Sequence, residues 1–161
     1  METQTATGQL TITRTFNAPR ELVWRAWTDP ELYKQWRGPN HFACPAAKLD
    51  VRVGGKYHSC MRSPDGQDFW TAGVYQEITP YDRIVFTDSF ADEQGNVVPA
   101  SYYGMPDMPL QMLVTVTFEE RDGKTTMTLV HTGLPAGEHS SNAKEGWSQS
   151  FDKLAALVEK G

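Results

Sequence analysis

The fold is decided by residues 142–160, which read NAKEGWSQSFDKLAALVEK. Four large apolar residues of this stretch recur at every third or fourth position, and they are Trp147, Phe151, Leu154 and Val158. This spacing lays one apolar stripe along an α-helix whose other faces are polar. A lone amphipathic helix must bury its stripe against another layer of structure. The preceding chain is therefore expected to supply a sheet.

Short strand-like segments separated by turns make up most of that preceding chain. Residues 10–16 alternate between apolar and polar side chains, which predicts the first strand. Further strands follow between residues 42 and 131, joined by turns rich in Gly, Pro and Asp at 53–56, 63–66, 79–82 and 121–124. Residues 91–109, ADEQGNVVPASYYGMPDMP, contain three prolines and two glycines and predict a long loop.

Two short helices are predicted directly after the first strand. The first begins near Pro19 and ends at about Trp27. Asp29 can cap the second, Pro30 occupies its first turn, and Gly38 with Pro39 ends it. The fold class is therefore α+β, a curved antiparallel sheet of about seven strands wrapped around a long C-terminal helix. Residues 1–161 form one domain, and residues 1–7 are predicted to be frayed.

Composition and charge narrow the classes of partner. The 161 residues include 15 basic and 20 acidic side chains, a net charge of −5, and no basic cluster that would predict nucleic-acid binding. The sequence contains no apolar stretch of membrane-spanning length and no signal-peptide pattern. We therefore expect a cytoplasmic protein with neither a nucleic-acid nor a membrane partner.

Several stretches together resemble a known family. They are ELVWRAWTDPELYKQWRGP, DVRVGGKYHSCMRSPDGQ, GVYQEITPYDRIVFTDSF, and HTGLP followed by EGWSQSFDKLAAL. In this order they resemble the activator of heat-shock-protein-ninety ATPase homologue-like family, over about Gln9 to Glu159. That family belongs to the START and birch-pollen-allergen-like helix-grip superfamily (SRPBCC). The resemblance implies a helix-grip fold with a hydrophobic cavity between the sheet and the C-terminal helix.

The chain departs from the family pattern at one charged position. Similar proteins often carry Trp-Trp-Gly-Pro where this sequence has Trp36-Arg37-Gly38-Pro39. The substitution places a cation at the rim of the expected pocket or at the end of a helix. The family name also suggests chaperone activation, but nothing in the chain matches the separate N-terminal domain of the eukaryotic co-chaperone.

Aromatic residues, methionines and one histidine are the predicted lining of the cavity. Rings and thioethers give large and adaptable contact surfaces for an apolar ligand, although the same residues also build ordinary cores. The predicted set comprises Trp27, Trp36, Met61, Trp70, Phe86, Met112, His131, Trp147 and Phe151. The polar residues Arg62, Asp68 and Asp88 lie on predicted strands and are candidates for orienting a ligand.

His131 is the candidate for acid–base chemistry, because it continues the apolar alternation of Met127 and Leu129. A structural imidazole is the alternative. Cys44 and Cys60 are expected to be free thiols, and Cys60 is a weak candidate nucleophile. The histidine and cysteine spacings match no metal motif, and the chain has no phosphate loop or dinucleotide fingerprint, so we expect neither a metal nor a cofactor.

Three functions remain open at this point. The first is binding of a small apolar or amphipathic molecule in the cavity. The second is an enzyme of the cyclase or hydrolase kind that uses His131 or a tyrosine in the cavity. The third is an interaction module that stimulates a chaperone ATPase. Apolar residues of the long loop, Val97, Val98, Tyr102 and Tyr103, are candidates for contacting a chaperone, and they could equally cover the pocket mouth or a homodimer partner.

Overall fold

The computed structural model describes residues 9–104, 110–133 and 138–159. Their elements are β1 (Gln9–Phe16), α1 (Arg20–Thr28), α2 (Pro30–Trp36), β2 (Ala43–Leu49), β3 (Lys56–Arg62), β4 (Asp68–Thr79), β5 (Arg83–Ala91), a 3-10 turn (Ala100–Tyr103), β6 (Met112–Arg121), β7 (Lys124–Thr132) and α3 (Glu138–Glu159). The predicted element order is confirmed.

The strands form one antiparallel sheet of seven strands in the order β1-β7-β6-β5-β4-β3-β2. Strands β2 to β7 follow one another as neighbours in a meander, and β1 adds to the far edge beside β7. The helices cover one face of the curled sheet, which we call the inner face. The predicted α+β helix-grip architecture is confirmed.

Helix α3 lies against this sheet through the predicted stripe. Trp147, Phe151, Leu154 and Val158 are all buried. They pack with inner-face residues of β6 and β7, including Val114, Met127 and Leu129, in one hydrophobic core. Burial of so many large apolar side chains is the main source of stability in a domain of this size.

The two short helices are closed by the predicted residues. The Asp29 side chain accepts a hydrogen bond from the Glu31 N–H at 2.9 Å, with Pro30 in the first turn of α2. After Trp36 the chain turns through Gly38, whose φ of 110° favours glycine. The Gly38 N–H donates to Ser150 Oγ at 3.0 Å, which attaches the end of α2 to α3.

Three boundaries differ from the sequence predictions. The sequence predicts the second strand over residues 46–51, whereas β2 spans Ala43–Leu49. It ends there because the chain turns back at Asp50, whose N–H bonds to the Lys56 carbonyl. Helix α3 begins four residues before Asn142. The predicted loop 91–109 contains a 3-10 turn at Ala100–Tyr103, while its residues 105–109 and the predicted frayed residues 1–7 lie outside the described residues.

Candidate ligand site

A small pocket lies on the inner face, between the first two helices and strands β3 to β5. Its volume is about 10 Å³, room for about one water molecule. The lining is almost wholly aromatic or aliphatic and consists of Trp27, Tyr33, Tyr57, Tyr75, Ile84 and Phe86. Two of the nine predicted lining residues, Trp27 and Phe86, therefore contact this pocket.

Most of the other predicted residues are buried around this pocket. Trp147 stacks on Trp27 with ring centroids 6.1 Å apart, and Phe151 lies 6.4 Å from the same ring. Trp36 donates its indole N–H to the Ala26 carbonyl at 2.9 Å and is fully buried, and Met112 is also buried. These side chains pack against one another and against the sheet.

Trp70 lies on the opposite face of the sheet. It pairs with Cys60 on β3, three residues beyond the pocket residue Tyr57, and successive side chains of a strand point to opposite faces. There its ring stacks on His58 at 4.6 Å. We therefore remove Trp70 from the predicted pocket set, because its aromatic character fitted the set but its position in the alternation did not.

The polar candidates Arg62, Asp68 and Asp88 also separate. Arg62 donates to Asp68 at 2.7 Å in an exposed ion pair on the same opposite face. Asp88 is buried on the inner face, two residues along β5 from Phe86. Only Asp88 is thus placed to act at the pocket.

Asp88 belongs to a chain of buried polar groups at one end of the pocket. The Tyr57 hydroxyl donates to Asp88 Oδ1 at 2.5 Å, and Asp88 Oδ2 lies 3.7 Å from His131 Nε2. The Trp147 indole N–H donates to His131 Nδ1 at 3.1 Å. His131 Nε2 is buried and has no hydrogen-bond partner among the described residues.

A glycine allows Tyr57 to reach Asp88 across the intervening strand. Tyr57 pairs with Gly73, and the register of β4 and β5 on either side places Gly73 opposite Asp88. A Cβ atom on Gly73 would lie 2.6 Å from Tyr57 Cε2. The missing side chain thus leaves space for the Tyr57 ring between the two outer positions.

The hydrogen bond from Trp147 fixes the tautomer of His131. An indole N–H can only donate, so Nδ1 accepts and the neutral ring carries its proton on Nε2. Burial lowers the pKa of His131, the charge of Arg37 lowers it further, and Asp88 opposes this shift. With its Nδ1 lone pair occupied, His131 lacks a free basic nitrogen, which argues against the predicted general base.

We expect His131→Gln to flatten part of the pH dependence of stability. The folded-state pKa lies below the unfolded value of about 6.5, so the unfolded chain binds more protons beneath that pH. The contribution of neutral His131 to the free energy of unfolding is fully present above about pH 6.5. As the pH falls below that value, the contribution decreases by up to about 1.4 kcal/mol per pH unit, until the folded-state pKa is passed. Urea unfolding of both proteins between about pH 8 and 5 measures the difference, which should narrow as the pH falls. A widening difference would instead indicate a charged His131–Asp88 pair.

The tyrosines and cysteines are likewise held in neutral forms. Burial and the charge of Asp88 raise the pKa of Tyr57 well above its usual value, and burial raises that of Tyr75. Burial raises the pKa of Cys60 to about 11, which opposes the predicted nucleophile. Both cysteines are free, and the described residues contain no group of three or more potential metal ligands.

Arg37 completes the buried polar cluster. Its Nε donates to the Tyr33 hydroxyl at 3.1 Å, and its Cζ lies 4.3 Å from the centroid of the Trp147 ring. Nη1 is 3.6 Å from Met61 Sδ, which is a weak acceptor and brings the predicted residue Met61 to the cluster. A guanidinium therefore lies beside a residue of the pocket wall, Tyr33.

Sequence reasoning missed the three tyrosines and the isoleucine of the pocket. Alternation alone would have found two of them, because Tyr57 shares a strand face with the predicted Met61, and Ile84 shares one with Phe86. Tyr33 and Tyr75 carry no comparable sequence signal. Tyr33 comes from a helix, and Tyr75 precedes a register shift in β4.

The fold and the site together define a helix-grip domain, a curled antiparallel sheet packed against a C-terminal helix, with a small aromatic pocket between the sheet and the first two helices. The chain belongs to the family described as "Activator of Hsp90 ATPase homolog 1-like protein", whose profile matches residues 17–159. Among the described residues, none of the helices has both the length and the hydropathy needed to cross a membrane.

Solved structures of similar proteins share the architecture. A protein from Chromobacterium violaceum is 32% identical, with a TM-score of 0.80 over 94% of this chain and 97% of its own. An AHSA1 protein from Silicibacter pomeroyi is 26% identical, with a TM-score of 0.76 over 94% and 97% of the two chains.

A human relative is named "Activator of 90 kDa heat shock protein ATPase homolog 1". It is 24% identical over 145 residues, which are 90% of this chain but 35% of the human protein. The chain thus spans about a third of the length of this relative.

Proposed function

We propose that this protein binds a small apolar or amphipathic molecule between the inner face of the sheet and the helices, acting in the cytoplasm. The observation that carries the proposal is the junction of an aromatic pocket with a buried, incompletely bonded polar cluster. His131 Nε2 has no hydrogen-bond partner among the described residues, and an unpaired buried N–H costs about 1–3 kcal/mol. A ligand acceptor group, or a water molecule, would remove that cost.

The size of the pocket sets a condition on this binding. A volume of about 10 Å³ holds no molecule much larger than water, so side chains must rotate or helices shift before a ligand enters. The measured affinity is then reduced by the fraction of molecules in the open state. Three pocket residues are tyrosines, and rotation of their rings about two torsions would widen the pocket once the hydrogen bonds of Tyr33 and Tyr57 break.

The neutral dye N-phenyl-1-naphthylamine tests this proposal, since its fluorescence rises in apolar surroundings. We expect saturable binding of the dye. The binding site is then located from the indole N–H signals of the tryptophans in a ¹H–¹⁵N NMR spectrum. The Trp27 and Trp147 signals should shift, because Trp27 lines the pocket and Trp147 stacks on it. The Trp70 signal, on the other sheet face, should not shift. No saturable binding, or a shift confined to Trp70, would exclude ligand binding at this pocket.

Stimulation of a chaperone ATPase is a second candidate, favoured by the name of the human relative. The exposed side chains of Val97 and Tyr102 provide a contact surface, whereas Tyr103 is held inward by a hydrogen bond from its hydroxyl to the Ala91 carbonyl. We would measure ATP hydrolysis by an Hsp90-type chaperone with and without this protein. A rate that rises with the wild type and is restored to baseline by Tyr102→Ser would favour the second function; an unchanged rate would remove it.

A further inference from the structure

The strongest unassigned feature is the buried cation Arg37. It is 9% exposed, and no carboxylate lies within 4.0 Å of it among the described residues. Its described hydrogen bonds go to a phenol oxygen and a thioether sulfur, both uncharged. A guanidinium carries five N–H donors, so most of its bonding capacity is not used by the described residues.

The backbone directs this side chain inward. The Arg37 N–H caps the end of α2 by bonding to the Tyr33 carbonyl at 3.2 Å. The next residue, Gly38, is held at positive φ and bonded through its N–H to Ser150 on α3. Arg37 is therefore fixed between two helices, with its guanidinium over Trp147 rather than in solvent.

The buried acid Asp88 does not neutralise Arg37 by direct contact, although burial lowers the pKa of Arg37 and the charge of Asp88 raises it. Asp88 accepts a hydrogen bond from Tyr57 through one oxygen, and its other oxygen faces His131 at 3.7 Å. Burying a charge without a close counter-ion costs several kcal/mol. A carboxylate supplied by a ligand would accept two parallel N–H bonds from a guanidinium, the arrangement that this side chain forms best.

We propose that Arg37 makes the pocket selective for small aromatic or aliphatic carboxylates over uncharged molecules of the same shape. This inference rests on the proposed function, because it names the class of ligand for the same pocket. The ring or chain of the ligand would take the aromatic pocket, and its carboxylate would pair with the guanidinium beside Tyr33. Arg37 is then the residue that determines specificity.

A matched pair of probes tests the inference. 2-Naphthoate and 2-naphthamide share one ring system and differ in the charge of the substituent. By calorimetry, we expect the wild type to bind the carboxylate at least about tenfold more tightly. The affinity of Arg37→Gln for the carboxylate should be lower by about that factor, and its affinity for the amide should stay within about threefold of the wild-type value. Arg52→Gln removes the same charge from an exposed turn and should leave both affinities unchanged.

The outcomes separate this inference from the function on which it rests. Equal affinity of the wild type for the two probes would overturn the inference, and that comparison uses the wild-type protein alone. If a folded Arg37→Gln protein lost affinity for both probes equally, Arg37 would have a structural role, and this result would also overturn the inference. If the neutral dye binds but neither probe does, the proposal of ligand binding at the pocket is retained and the proposal of carboxylate selectivity is rejected. If the dye fails as well, both proposals fall.

Discussion

Gly73→Ala is expected to lower the free energy of unfolding by about 4 kcal/mol or more, a large fraction of the stability of a small domain. The added Cβ would lie 1.8 Å from the Thr87 carbonyl oxygen and 2.6 Å from the Tyr57 ring. A carbonyl oxygen in the middle of a sheet cannot rotate away as a flexible side chain can. Strands β4 and β5 must therefore separate locally, and the ring of Tyr57 must also move away from the added Cβ. Urea unfolding followed by circular dichroism measures the loss.

Gly146→Ala is the matched control, because it makes the same chemical change at a site with space. Gly146 lies within α3, and a Cβ there would meet, among the residues that the structure describes, only Pro39 Cγ, at an ordinary contact distance of 3.5 Å. Alanine is favoured over glycine within a helix, so this variant should gain about 0.5–1 kcal/mol. If Gly73→Ala proved as stable as wild type, the row of Tyr57, Gly73 and Asp88 would be wrong.

The role of Gly73 also shows where sequence reasoning stops. A glycine within a strand can mark a bulge, a bend or a close approach, and the local sequence does not distinguish them. The function of Gly73 depends on Tyr57 and Asp88, which come from two other strands and lie 16 and 15 residues away along the chain. Only the pairing register places the three residues in one row.

The fold was more predictable because its signals are local. The stripe of Trp147, Phe151, Leu154 and Val158 depends on helical periodicity alone, and all four side chains are buried. The cap at Asp29 depends on neighbouring residues in the same way. Such patterns can be read without knowing which surface the element packs against. The lining of a pocket formed by two helices and three strands cannot be predicted without that knowledge.

The candidate site was predictable only in its residue types. Large aromatic residues predicted a buried aromatic region, which the structure contains. Trp70 has the same side chain as the tryptophans of that region but lies on the opposite face of the sheet. Arg37 was recognised as a departure from the family pattern, yet whether its charge faced solvent or the pocket depended on Gly38 and Ser150. The second of these lies 112 residues beyond the first.

The tryptophans on the two faces of the sheet provide the other prediction with a large effect. Trp27→Ala should cost about 3–5 kcal/mol, the range for removing a large aromatic side chain from a core. Its ring lies 4.8 Å from that of Trp36, 6.4 Å from that of Phe86 and 6.1 Å from that of Trp147. Its indole N–H also reaches Met127 Sδ at 3.3 Å. Removal would leave a cavity bounded by other side chains that cannot all collapse into it.

Trp70→Ala removes the same atoms from the opposite face and serves as the comparison. Trp70 is only partly buried and makes one ring stack, with His58. We therefore expect a loss of about 1–2 kcal/mol, which is smaller than the loss at Trp27. Urea unfolding of both variants measures the difference under one set of conditions. Since the two substitutions are chemically identical, an equal loss would contradict the closer packing of Trp27 on the inner face. The pocket lining at Trp27, on which both binding proposals depend, would then be in question.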